Sequence, residues 1–497
     1  MVRLPQPGGD SNQWGDILNT FLQVEHNTDG SLRRGSDIDA KYVKPGSGIP
    51  STDLTSALQT QISTAIHQND HVIFAKDYGA VFDGSTNDAS ALQTAINTAI
   101  STKKPLLLPP GTAIIGTALS ISAPLTILGS GRESTILKAA NSLNAYVISF
   151  TGGSTGVGIV GAHFADFTID GNSANQTAGG GILANGAVQC SFERLHVTSV
   201  YNWGLKLGPI TGGAFGHHNR VVSCLFDNSG SSAGFGGGVW VTSSDENWYV
   251  ATDFEFLGGA SNPVDSNPIM LYDEAGLQYI IGCNFVSGSH NCIGIRIQNT
   301  KSSKVIGCIF DGVAGDAVFI AGNKCLVTQN TFTGIGDAGS TAASGVHTQF
   351  AAMYNVITDN VFETSATVAR TRSHIYEEQI GSSGPNIIEN NSFSNNAFAP
   401  TVAIVDSNGI GTVVRNNLGY KTEATGTAVV TNGTTSAAVT HGLAATPLLA
   451  NITISPTNNL GTATKFWVSN PTSTQFTINV DANPGASTAT FSWSIRP

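Results

Sequence analysis

Val305-Ile-Gly-Cys308-Ile-Phe310 is followed within one short interval by Val327-Thr-Gln-Asn330-Thr-Phe332. Both stretches have a β-branched residue, two spacers, Cys or Asn, one spacer, and an aromatic. The pattern recurs as Val221-x-x-Cys224-x-Phe226 and Ile280-x-x-Cys283-x-Phe285 on one side of this pair. On the other side come Ile357-x-x-Asn360-x-Phe362, Ile388-x-x-Asn391-x-Phe393 and Val413-x-x-Asn416-x-Leu418. Weaker copies centre on Phe167, Leu195 and Phe256, so that ten anchors are spaced 22 to 31 residues apart. Most copies are followed by a second alternating stretch: Gly204–Leu207, Gly238–Val241, Gly294–Ile297, Ala317–Ile320 and Gly345–Thr348. Side chains alternate faces along a strand, so Ile295 and Ile297 are expected inside while Arg296 and Gln298 face out.

A repeat of this length cannot bury its own apolar face, whereas stacked repeats build a continuous core. β-branched strands and an Asn before the aromatic specify a parallel β-helix, with ten rungs making a rod about 48 Å long. Stacked Asn amides can bond from rung to rung. Cys224, Cys283 and Cys308 extend the same column as small buried thiols. The six cysteines fit no metal-binding or disulfide framework; a Cys283–Cys308 bond is conceivable only in an oxidising setting.

Composition agrees with an all-β chain full of tight turns. Charged residues are 11% of 497 and glycines number 57, against roughly 25% charged in an average soluble protein. No apolar run reaches the ~18 residues of a membrane span. Net charge is −11 with no basic block, which argues against a nucleic-acid partner. The opening residues lack the charged and apolar regions of a signal peptide.

The flanks differ from the repeat. In residues 1–75, Asn12–Val24 is expected to form an amphipathic helix, and Leu54, Leu58, Ile62 and Ile66 a second. These are too small to fold alone, which suggests a partner or a trimer. Residues 76–423 are assigned to the solenoid. Asp88 is placed to N-cap a helix that closes its first end, and Leu106–Gly111 and Leu125–Gly129 open the rungs. Residues 424–497 lose the repeat, and alternating Val439, Ile452, Phe476, Phe491 and Trp493 point to a small β-sandwich.

Three stretches resemble known families. Phe74–Ala80 through Asp88, with Leu108-Pro-Pro-Gly111, resembles the opening of the right-handed parallel β-helix of the pectate-lyase superfamily. Arg3–Asp10, Trp14–Asn19, His26–Gly30 and Gly48–Leu54 are similar to N-terminal and connector segments of phage tail proteins. Val439–Leu443 through Phe491–Trp493 resembles a C-terminal sandwich found on tail proteins and some depolymerases. The resemblance implies a tailspike on the virion, made in the host cytoplasm and attached to tail or baseplate proteins through its N-terminal segment. It implies a homotrimer whose ligand is a bacterial surface polysaccharide. No cofactor, metal or membrane partner is expected.

By analogy with that superfamily, a groove along the Gly-Ile-x-Ile strands would hold the polymer. Its outward column is expected to be Leu183, Lys206, Trp240, Met270, Arg296, Phe319, His347 and Tyr376. Tyr272, Gln298, Gln349 and Glu378 stand two residues further on, with Trp203 nearby as a sugar-stacking aromatic. A hydrolase needs two carboxylates, about 5–5.5 Å apart for retention or about 6.5–9.5 Å for inversion. Asp273, Asp316, Glu377 and Glu378 are the pool, with Asp316 the favoured residue. A lyase needs a cation and a base, which Arg296 with His347 or Tyr376 would supply. The polygalacturonase motifs are not matched: Gly315–Ile320 has one Asp where two are required, and Gly-His-Gly is missing. Nor do carboxylates cluster as a calcium-dependent lyase requires. Hydrolysis is preferred to elimination, and the alternatives are a non-catalytic tail fibre or adhesin and a free polysaccharide-degrading enzyme. Any single carboxylate on a solenoid can equally be a solvated surface charge, and Trp203, Trp240 and Trp248 can equally be packing.

Overall fold

A computed structural model describes residues 55–56, 71–151, 158–209, 216–227, 236–256, 269–287, 292–298, 302–336, 343–349, 351–363, 371–378, 385–394, 403–405 and 411–496. The chain divides into Met1–His71 and Val72–Pro497, and the account below concerns the second unit. The two expected N-terminal helices lie outside the described residues.

From Ile73 to Arg415 the chain coils through three parallel sheets of 13, 12 and 11 strands. One coil shows the unit: Leu326–Thr328 in the first sheet, Thr331–Thr333 in the second and Ala343–Thr348 in the third. Every strand pairs with its counterpart one coil away, in parallel.

From the coil of His163–Asp170 onward the first and second sheets are joined by two residues, as at Ser223–Cys224, Gly307–Cys308 and Asp359–Asn360. The leading residue is left-handed: Ser223 φ 52°, Gly307 φ 63°, Asp359 φ 57°. That turn throws the next side chain inward, which is why the repeat places a small or amide residue there. Asn330, Asn360 and Asn391 are buried, and each Nδ2 donates to the next Asn Oδ1 at 3.0 Å. Two residues on, the rings of Phe254, Phe285, Phe310, Phe332 and Phe362 stack at 4.6–4.8 Å, each pair adding about 0.5–1.5 kcal/mol. All six cysteines are buried, and burial pushes the Cys224 thiol up to about 12.

Several registers differ from the sequence reading. The amide column ends at Asn417, whose Nδ2 donates to Ile388 O at 3.0 Å, while Asn416 is the left-handed turn residue (φ 54°). Val414 rather than Val413 is therefore the inward strand residue. The weaker copies are displaced by two: Phe254 is in register with Phe226 and Phe285, and Ile169 and Val197 continue that column downward. Tandem apolar residues such as Phe254 and Phe256 leave the choice open until neighbouring coils fix it. A second amide column was not foreseen. Asn219 donates to Asn247 at 3.0 Å, and Asn247 to Gln278 at 3.0 Å. It lies between the third and first sheets, where the sequence interval varies too much to read.

Helix Ala89–Thr102 buries Leu92, Ala95, Ile96 and Ala99 against the first coils. Asp88 occupies its N-cap but makes no side-chain cap bond. Its carboxylate instead accepts Val81 N at 2.8 Å and Phe82 N at 3.0 Å, tying the preceding loop to the helix start. Beyond the coils, strands Ala424–Val430, Ile452–Pro456 and Ala489–Ile495 form one antiparallel sheet. Ser436–Thr440, Phe466–Ser469 and Gln475–Val480 form another. Val430, Phe491 and Trp493 from one and Val439, Phe476 and Ile478 from the other share a core.

Candidate functional site

The third sheet carries the outward column that matters. Successive strands align Leu183, Lys206, Trp240, Tyr272, Arg296, Phe319, His347 and Tyr376. Tyr272, not Met270, stands between Trp240 and Arg296. Met270 is fully buried, in the place where other coils have glycine. A Cβ on Gly238 would lie 2.7 Å from the Phe254 ring, and one on Gly294 3.2 Å from Phe310. The Gly of the Gly-Ile-x-Ile stretches is thus the space that the neighbouring Phe occupies. Two consecutive residues point inward there, so the residue before the Gly turns outward, as Trp203 does.

Two residues beyond this column the ladder continues through Glu274, Gln298, Gln349 and Glu378, whose amides bond the preceding coil. Glu274 was missed. Strict alternation from Tyr272 would have found it, since the same alternation sends Asp273 inside.

Three side chains from different coils converge at the upper end. Asp316 Oδ2 lies 2.6 Å from His347 Nδ1, and Glu378 Oε1 lies 3.1 Å from His347 Nε2. Asp316 Oδ1 accepts Ser344 N at 2.7 Å, which fixes the carboxylate. The imidazole edge meets the rings of Phe319 at 4.7 Å and Tyr376 at 5.1 Å. Exposure rises along the set: 6% for the His347 side chain, 13% for Asp316 and 34% for Glu378. Two carboxylates therefore sit on opposite sides of one imidazole, and Glu378 is the one that reaches solvent.

A second cluster lies lower on the same face. Glu274 accepts Trp240 Nε1 at 2.9 Å and the Tyr272 hydroxyl at 2.6 Å. Lys206 Nζ packs 3.7 Å from the Trp240 ring. Partial burial holds the Lys206 ammonium below its usual range, against the opposing pull of Glu274. Burial, and then the bond to Glu274, raise the Tyr272 hydroxyl. Arg296 stands between the two clusters, 5.1 Å from the Phe319 ring and 5.9 Å from Tyr272, with Nε donating to Gln298 at 3.1 Å.

Three sequence candidates are relocated. Asp273 is wholly buried, accepting Ala275 N, Gly276 N and the Ser303 hydroxyl. Burial raises it to about 6, but no polymer can touch it. Glu377 is buried as well and accepts Asn386 Nδ2 at 2.7 Å, at the end of the second amide column. Trp203 is 2% exposed, beneath Trp240 and Tyr272, so it supports the groove floor and is not a stacking surface. Lys206, Trp240, Tyr272, Arg296, Gln298, His347, Tyr376 and Glu378 remain half-exposed or adjoin the groove, and Gln349 lies between the two glutamates in its column. Among the described residues no group of three His, Cys, Asp or Glu side chains is arranged to hold a metal, and no helix is long and apolar enough to cross a membrane.

Comparison with known proteins gives one family match, to rhamnogalacturonase A/epimerase, pectate lyase-like, over residues 72–198. No curated protein matches the chain. Among solved structures, the ORF18 protein of Geobacillus virus E2 is similar at a TM-score of 0.57 and 15% identity, over 91% of this chain and 89% of that one. The likeness establishes the fold. A tailspike of Acinetobacter baumannii bacteriophage Fri1, titled a capsular polysaccharide depolymerase, gives a TM-score of 0.47 at 13% identity over 86% of each chain. The A-module of mannuronan C-5 epimerase AlgE4 from Azotobacter vinelandii gives 0.46 at 14% identity, over 69% of this chain and 99% of that one.

Proposed function

We propose that this protein is a phage tailspike-like receptor-binding protein that binds and hydrolyses a bacterial surface polysaccharide. The observation that carries this reading is His347 held between Asp316 and Glu378, at one end of an outward column of aromatic and cationic side chains. An extended polymer lying along the coil axis would meet Lys206, Trp240, Tyr272 and Arg296 before it reaches the carboxylates. Gln298 and Gln349 would supply hydrogen bonds beside them.

In this mechanism Glu378 is the catalytic carboxylate that faces the glycosidic bond. Asp316 is a positioning residue: anchored by Ser344 N, it fixes the His347 ring through Nδ1. His347 Nε2 holds Glu378 while the protonated Glu378 carboxyl gives a proton to the leaving sugar oxygen as the glycosidic C–O bond breaks; a water adds to the anomeric carbon and its proton returns to the carboxylate. Of the carboxyl groups that flank the bond in hydrolysis, the Asp316–His347–Glu378 set supplies Glu378, and Asp316 acts only through His347. Asp316 was the favoured single residue from sequence, and its lower exposure moves the contact with substrate to Glu378. Elimination would need Arg296 next to the base, yet Phe319 separates Arg296 from His347 by one coil in the column.

The fold shared with a Geobacillus virus protein supports the phage origin that the N-terminal motifs suggest. On that reading the protein is a homotrimeric virion tail component, attached through residues 1–75 to tail or baseplate proteins. The solenoid of 76–423 and the sandwich of 424–497 follow that segment in the chain.

The test is a panel of capsular, O-antigen and uronate polymers, monitored by viscosity, reducing ends and ultraviolet absorbance. Falling viscosity with new reducing ends and no absorbance rise is expected. Unsaturated ends would overturn hydrolysis in favour of elimination. Binding without any change in polymer length would overturn catalysis altogether and leave an adhesin.

A further inference from the structure

Two outer faces of the solenoid take no part in the groove, and they differ in character. The outer face of the first sheet is apolar over consecutive coils: Trp248, Tyr279, Ile281, Ile306, Leu326 and Val356 all point out of it. Trp248 is 39% exposed. Its free charges are cationic. Arg220 lies in register with Trp248, and Lys304 Nζ sits 5.0 Å from the Tyr279 ring. Neither makes an ion pair among the described residues.

The outer face of the second sheet is the converse. Asp253, Glu255, Asp311 and Glu363 project from it, none of them in an ion pair among the described residues. From Leu225 to Ser392 its outward columns contain no Lys or Arg. Between the acids stand exposed Val286, Ile309 and Val361. From the coil of His163–Asp170 to that of Ile387–Phe393, which spans both patches, the corner joining these two faces is the two-residue turn, so no inserted loop rises between them there.

We infer that these are the two halves of one interface, the first-sheet face of one copy packing on the second-sheet face of the next. A rotation about an axis parallel to the solenoid axis leaves every coil at its own level. Lys304 and Asp311 belong to the same coil, separated only by Val305–Phe310, so Lys304 of one copy meets Asp311 of the next. Apolar side chains meet Ile309 and Val361 beside that pair. Because the two patches differ, the contact is heterologous, and repetition by rotation closes it into a ring. The charges left unpaired on each face are of one sign, since Glu193 and Glu389 of the first-sheet face are paired with Arg194 and Arg415, which disfavours the alternative of either face meeting itself. The inference needs no polysaccharide and stands apart from the depolymerase reading.

Cysteine cross-linking tests it on the full chain, since the native thiols are all buried. Lys304→Cys with Asp311→Cys, treated with a short bismaleimide, should give covalent multimers of the 51.4 kDa chain on a denaturing gel. Each single variant should remain at monomer mass. A double variant that stays monomeric overturns the inference. So does a Lys304→Cys chain that cross-links alone, because that requires the face to meet its own copy. As a second measurement, Ile306→Asp with Ile309→Asp should lower the mass by light scattering to that of one chain while circular dichroism keeps its β signature. An unchanged mass would equally overturn it.

Discussion

Asn360→Ala tests the amide column most directly. Asn360 is 1% exposed. Its Nδ2 donates to Val327 O at 2.9 Å and to Asn391 Oδ1 at 3.0 Å. Its Oδ1 accepts Asn330 N and Asn330 Nδ2, both at 3.0 Å. Truncation deletes all four bonds, but the cost is set by what is left behind. Asn330 Nδ2 keeps Val305 O at 3.0 Å, and Asn391 Oδ1 keeps Asn360 N at 3.1 Å. Asn330 N is left without an acceptor, while Val327 O stays in the ladder with Val356–Thr358. An orphaned buried group costs about 1–3 kcal/mol, at the low end if water enters the vacated space. At 1.4 kcal/mol per factor of ten, that raises local opening by roughly 5-fold to 100-fold. The assay is amide hydrogen exchange of peptides spanning 326–334 and 356–363, because a solenoid need not unfold in one step. Asn416→Gly, one residue outside the column, is the matched control and should leave these peptides unchanged. Unaltered exchange in Asn360→Ala would refute the argument that the amides carry the corner.

Glu378→Gln should lower turnover by ~10²–10⁴-fold with little change in polymer binding. Asp316→Asn should also lower it and shift the pH profile, because His347 loses its anchor. Trp240→Ala should weaken polymer retention, read as a raised KM, while turnover changes less. His374, stacked against Phe393 at 5.4 Å, is lowered by burial from 6.5 to about 4. The native state therefore resists protonation, and stability falls as pH drops below 6.5 towards 4. The loss is roughly 2 kcal/mol at pH 5, and a His374→Phe chain should show none of it in melts at pH 5 and 8. Asp273 runs the other way. Its carboxyl is raised from 3.8 to about 6, so its ionisation penalty is full above pH 6 and gone below pH 3.8. Asp273→Asn should flatten that slope, seen as a melting midpoint that no longer rises between pH 7 and 5.

The period of the repeat determined the fold by itself. A β-branched residue, a small or amide residue and an aromatic at fixed spacing can be satisfied together only by stacked strands. Nearly every such residue, from Val221 to Phe393, is buried as that argument requires. Alternation within a strand likewise determined that Arg296, His347 and Tyr376 face out. Register was decided by tertiary structure. Whether Phe254 or Phe256, Asn416 or Asn417, Met270 or Tyr272 holds a column depends on which coil lies above and below, and a lone coil leaves both choices open. The same holds for the site. Asp316, His347 and Glu378 lie about thirty residues apart in sequence, and each alone reads as a surface charge. They meet because one coil returns the chain to the same place about 4.8 Å further on. Asp273 and Trp203 were misjudged for the complementary reason: residue type suggests chemistry, but the inward turn of a strand and the rings packed above decide what a polymer can touch.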